Sequence, residues 1–211
     1  LTASNNNAAV ANGVPINTLA GAIKIGPVPP GIQAFTIATN LSANGKTTFT
    51  TVAAHTKVWV TGSGAKGGLR TGGAAATVYA IISAQPGTSI DVYVAAGQTT
   101  ANSSGNLSKI AIGGTDLLIS NGAASLSASI HTAASLNGGN KGTLNTSDPR
   151  IIGGYIIEGG SGGWDTNSDD EESCGPASFW GSDQAPGAGG GGHEGTSINT
   201  KAGLVKFEWG M

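Results

Sequence analysis

Few residues in this chain have the types and spacing that chemistry requires. The most suggestive are Gly62, Gly64 and Gly67 in WVTGSGAKGG, which fit G-x-G-x-x-G after an apolar run. That spacing carries a strand into a helix whose N-terminus holds a dinucleotide's pyrophosphate. The helix is the indispensable part, because its free N–H groups and dipole bind the phosphates. Here GGLRTGGAAATVYA runs through more glycine into another strand pattern, and the first acid downstream, Asp91, lies in a strand pattern too. Nucleotide binding is therefore not supported.

Other motifs fail in the same way. ANGKTT at 43–48 resembles the end of a phosphate loop, but the required first glycine falls on Asn40. Asn44-Gly45 reads better as a hairpin turn, since both residues tolerate positive φ. RIIGGY at 150–155 is similar to the activation site of trypsin-like proteases, yet only 60 residues follow Ile151. Gly159, Ser161 and Gly163 satisfy G-x-S-x-G, with Asp165 and His193 following in order. A nucleophile elbow also needs a helix after the serine, and none is patterned there. Five of the twelve acids fall in DTNSDDEES, residues 165–173, where Asp165, Asn167 and Asp169 mimic the start of a calcium loop. Asp170 and Pro176 occupy the positions that need Gly and Glu, so the stretch reads as a solvated acidic loop, with a weak cation site as the alternative. His55, His131 and His193 lack metal-ligand spacing; gathering one from each chain at a trimer axis is the alternative to simple exposure. The expectation is a protein without catalytic residues, metal or cofactor.

Composition narrows the classes further. The 211 residues include 36 glycines, with only 10% charged and 5% aromatic. Net charge is −2 and the ten Lys and Arg are scattered, so no basic patch exists to neutralise nucleic-acid phosphates. No apolar run approaches the ~18 residues of a membrane span. Cys174 stands alone, so no intrachain disulfide can form. The chain begins at Leu1 without an initiator Met and shows no signal peptide, as expected of a fragment or a processed chain.

Period-two patterns recur at 47–52, 57–61, 76–83, 88–95, 108–112, 115–120, 151–157 and 203–209, and no window shows helical periodicity. In 88–95, Ile90, Val92 and Val94 share one face, with Asp91 and Tyr93 on the other. The expected fold is all-β: short antiparallel strands joined by glycine-rich loops, sandwich-like. Residues 1–32 read as an extended leader, 33–145 as a β-rich domain, and 146–211 as a glycine-rich segment with a terminal strand. Four Trp, three Tyr and four Phe are few for a monomer of this size. Glycine loses more entropy on folding than other residues, so a core shared or intertwined among chains is expected. Trp59 and Trp209 lie in strand patterns and are expected in the core.

A family resemblance joins these observations. TTFTTVAAHTKVWVTGSGAKGG at 47–68, PGTSIDVYVAAGQ at 86–98, ASFWGSDQAPGAGGGG at 177–192 and the ending AGLVKFEWGM resemble the glycine-rich tip domain of tail fibres from tailed bacteriophages. The likeness covers roughly 35–211. It departs from the family where the glycine run at 62–73 is shortened and where the acidic DTNSDDEE follows GGW. In that family, a Thr-Phe-Thr strand, a turn and a Val-x-Val strand form a hairpin leading into a glycine loop. The resemblance implies a homotrimer at the distal end of a virion's tail fibre, attached to an upstream shaft, from a contractile-tailed phage of a Gram-negative host. Its partner would be a bacterial cell-surface receptor: lipopolysaccharide, capsule or an outer-membrane protein. It implies neither nucleic-acid binding, membrane insertion nor catalysis.

Receptor contact is expected on the loop-rich segment 158–195, because binding residues concentrate on loops held by a rigid scaffold. Trp164, Phe179 and Trp180 can stack on sugar rings, and Asp165, Asn167 and Asp169 can accept hydroxyl hydrogen bonds. Asp183, beside Gln184, sits on a turn before Pro186 as a rim contact. The competing assignment makes the three aromatics the interior of a trimer. Two other functions remain open: a polysaccharide-degrading enzyme of the tailspike type, which needs paired carboxylates, and a purely structural virion surface protein.

Overall fold

The computed structural model describes residues 28–36, 46–66, 72–100, 103–123, 142–159, 179–181, 186–189, 192–193, 196–197 and 200–210. No helix occurs among them. Their strands, in chain order, are β1 (Gly31–Phe35), β2 (Lys46–Thr50), β3 (His55–Thr61), β4 (Thr77–Ser83), β5 (Ser89–Tyr93), β6 (Ser108–Ile112), β7 (Thr115–Ser120), β8 (Thr143–Leu144), β9 (Ile151–Ile157), β10 (Gly192–His193), β11 (Thr196–Ser197) and β12 (Leu204–Trp209). All eight strands expected from the period-two pattern are present. They build two antiparallel five-stranded sheets, ordered β1-β12-β3-β4-β9 and β2-β5-β6-β7-β8, beside the short β10-β11 pair.

Two pairings depart from the sequence reading. β1 starts inside the expected leader and pairs along its length with β12, from Gly31 opposite Trp209 to Phe35 opposite Val205. β2 and β3 do not form a hairpin: β2 pairs with β5, and β3 with β4 and β12, so neighbours in sequence join opposite sheets. Strands from 33–145 and from 146–211 share the first sheet.

Alternation explains why the two sheets face each other. Val58 and Val60 of β3, Val78, Ala80 and Ile82 of β4, and Val205 and Phe207 of β12 point inward and are buried. Ile90 and Val92 of β5 and Ile110 of β6 meet them from the second sheet. Phe49 stacks on Phe207 at 4.0 Å, and Phe35 meets both edge-on at 6.4 and 5.8 Å. Trp209 closes this end, 5.8 Å from Phe49. Within one chain, aliphatic and aromatic side chains from both sheets thus form a continuous buried cluster.

A second interior is built from backbone. Segments 62–66, 72–76, 95–98, 103–106, 121–123, 187–189 and 200–203 lie alongside one another and exchange main-chain hydrogen bonds. Among them are Ser63 N–H to Asn106 O (3.0 Å), Ala65 N–H to Gly73 O (3.0 Å), Ala75 N–H to Gly187 O (2.8 Å), Gly105 N–H to Ala123 O (2.8 Å) and Gly203 N–H to Ala95 O (2.9 Å). Glycine makes such closeness possible. A Cβ on Gly64 would fall inside the carbonyl of Ala188, and one on Gly122 inside the backbone of Gly105. The G-x-G of WVTGSGAKGG thus packs main chain against main chain where β3 ends.

Candidate functional site

The outer face of the first sheet is set by the same alternation that fills the core. With Val58 and Val60 inward, Lys57 and Trp59 must face outward; with Val78 and Ala80 inward, Tyr79 does too. Register then aligns the outward residues. Lys206 lies opposite Trp59, Trp59 opposite Tyr79, and Tyr79 opposite Tyr155, one row across β12, β3, β4 and β9. The ring centroids are 4.9 Å apart at both steps, tilted by 41° and 47°. That spacing is the distance between neighbouring strands, about 4.8 Å. Tyr155, on the sheet's edge, is 52% exposed.

Phe179 and Trp180 extend this row. Trp180 donates its indole Nε1–H to Thr61 Oγ1 at 3.0 Å, and that hydroxyl shares a 2.8 Å bond with Thr77 Oγ1. Lys206 Nζ lies 5.0 Å from the centroid of Trp59 and 5.5 Å from that of Trp180, a cation between two π faces. Glu208 Oε2 holds the same ammonium at 2.6 Å. Phe179 meets Trp180 edge-on at 5.0 Å and is 42% exposed. Burial, then the neighbouring Tyr155 and the negative charge of Glu208, push the Tyr79 hydroxyl above its ordinary titration range.

One row along the sheet, Glu208 lies opposite Lys57, and Lys57 opposite Ile81. These residues, with His55, Ile152 and Trp209, line an open groove of ≈ 250 Å³. Lys57 makes no ion pair among the described residues. Thr56, in phase with Val58 and Val60, turns its side chain inward instead, and its buried Oγ1 has no hydrogen-bond partner among the described residues. Buried polar groups are seldom left so.

Of the residues expected to contact a receptor, the structure brings Phe179 and Trp180 together on this face. Trp164, Asp165, Asn167, Asp169 and Asp183 lie outside the described residues, as do Gln184, the Asn44-Gly45 turn and His131. His55 is exposed and lines the groove. No cluster of three or more metal-ligating side chains occurs among the described residues. Trp209 packs against the core as expected, but Trp59 does not. Its parity with Lys57 in KVWV already marked it as outward-facing, and its size outweighed that signal in the sequence reading. Tyr79 and Tyr155 were missed because their alignment depends on pairing β4 with β9, about seventy residues later.

Compared with protein-family models, curated proteins and solved structures, the chain matches none.

Proposed function

We propose that this protein is the receptor-binding tip of a bacteriophage tail fibre, adhering to the surface of a Gram-negative host without catalysis. One observation carries the reading. In a chain with so few aromatics, Phe35, Phe49, Phe207 and Trp209 serve the core, whereas Trp59, Tyr79, Tyr155, Phe179 and Trp180 gather on one outer face. Folding alone does not call for that face, since the core lies behind it, and outward aromatics grouped around two exposed ones, Tyr155 and Phe179, are a usual mark of a contact surface. The glycine-stacked layer supports the reading from another side, because a rigid backbone scaffold is what exposed recognition loops need. Glycoside hydrolysis calls for two carboxylates across the bond that breaks; the groove's described lining brings one, Glu208. In the assembled virion, a homotrimer would present three copies of this face beyond the fibre shaft.

The test is saturable adhesion of the labelled chain to a panel of Gram-negative strains, followed by assay of the cells for new reducing ends. Adhesion to a subset of strains with no release of sugar is the expected result. Adhesion to none would favour the purely structural role, and new reducing ends would make the protein an enzyme.

A further inference from the structure

The aromatic row and the groove beside it form one surface, and its chemistry names a ligand class. Resting on the adhesin reading, we infer that this face binds a surface glycan of pyranose units bearing an anionic substituent, a carboxylate or a phosphate. Tyr155 and Phe179 supply the stacking part: pyranose C–H faces pack against the electron-rich face of an aromatic ring, and these two rings are the more open members of the row. The groove supplies the second part. At ≈ 250 Å³ and open along one side, it falls below the ~300–1,000 Å³ of pockets that enclose a small molecule. It therefore suits a stretch of an extended chain.

Charge decides the substituent. The Lys206 ammonium is engaged by Glu208 and by two aromatic faces. Lys57 has no ion pair among the described residues, and His55 stands beside it in the groove. A positive group left over in a concave site attracts an anion. A single-stranded nucleic acid would also stack and carry phosphates, but it binds along a groove of many cations, and here one is left uncompensated.

The experiment puts the full chain on an array of bacterial polysaccharides, with acidic and neutral members from both lipopolysaccharide and capsule, and measures adhesion to the source strains alongside. Acidic members of one source should bind. Tyr155→Ala should weaken that binding at least tenfold, Lys57→Met several-fold with loss of its salt dependence, and Tyr93→Ala, on the opposite face, not at all. Melting temperature is followed for each variant, and Phe179→Ala serves as the second stacking variant. Binding that survives both Tyr155→Ala and Phe179→Ala would overturn the inference, and equal binding of neutral members would overturn its anionic part. If no polysaccharide binds while cells are still bound, the glycan fails and the adhesin stands, with a protein receptor indicated. If cells are not bound either, both fail.

Discussion

On the outer face of the second sheet, Lys46 pairs with Asp91 at 3.2 Å, and Lys109 pairs with Asp116 at 2.9 Å and lies over Tyr93 at 5.0 Å. On the outer face of the first sheet, the lysine of β12 is set between two tryptophans, and three further aromatics flank it. The two sheets share one core and equal strand number, so the difference does not arise from what folding requires. The ion-paired face is what a solvated sheet surface ordinarily looks like, each pair worth about 0–1 kcal/mol. The aromatic face holds apolar surface in water, a cost that makes sense where a ligand covers it.

The largest effect that sharpens this contrast lies in the glycine layer beyond the end of β3. Gly64→Ala should destabilise the fold by about 3 kcal/mol or more, because its Cβ must displace the Ala188 backbone, two residues from Pro186 and close to the segment carrying Phe179 and Trp180. Denaturant unfolding measures it. A loss as small as a surface substitution's would mean that backbone packing does not hold that segment.

Next is the combination of Trp59→Ala and Tyr155→Ala. Adhesion should fall more than tenfold, while stability falls by only about 1 kcal/mol, the scale of cross-strand aromatic pairs. If stability collapses instead, the row belongs to the fold rather than to recognition.

The turn that launches β9 gives a pH test. Arg150 donates both a side-chain and a backbone hydrogen bond to Asp148, which holds its carboxyl down at about 2. A carboxyl with a lowered folded value stabilises the fold above its unfolded value, near 4, and loses that contribution as pH falls toward 2. Asp148→Asn should therefore cost about 1 kcal/mol at neutral pH and flatten the acid limb of the stability curve over that window. An unchanged limb would dismiss the pair.

Tyr79 gives a smaller signal at the opposite end of the scale. Its raised value means that the neutral form is favoured in the fold, so its contribution is complete below about pH 10 and lost as pH rises through the folded value. Ultraviolet difference titration should show one tyrosine ionising late, and Tyr155→Phe should bring it earlier. The smallest effect belongs to the other face: Lys109→Ala should change stability by about 0.5 kcal/mol or less and adhesion not at all.

Much of the architecture was legible in the sequence because period-two alternation is local. TSIDVYVA and KVWVT state which side chains point together without reference to the rest of the chain. Strand partnership was not legible. That β2 avoids β3, and that β1 ends up beside β12, follow from which faces meet across the core, a long-range matter that short motifs do not carry. The role of glycine was half visible: its density announced close backbone approach, but the contact of Gly64 with Ala188 joins positions more than a hundred residues apart. Phe179 and Trp180 stood out in the sequence as aromatics in a loop-rich stretch, though not their contact with each other or with Lys206. Trp59, Tyr79 and Tyr155 were hidden because a strand aromatic reads first as core, and only parity with Lys57 spoke against it.

The central claim is that the aromatic face meets the receptor and the ion-paired face does not. Its most direct test compares equilibrium adhesion of Tyr155→Ala and Tyr93→Ala to the same cells, one tyrosine from each outer face. We predict that Tyr93→Ala binds as the unaltered chain does, that Tyr155→Ala binds at least tenfold more weakly, and that both melt normally. Equal adhesion by the two variants would contradict the account.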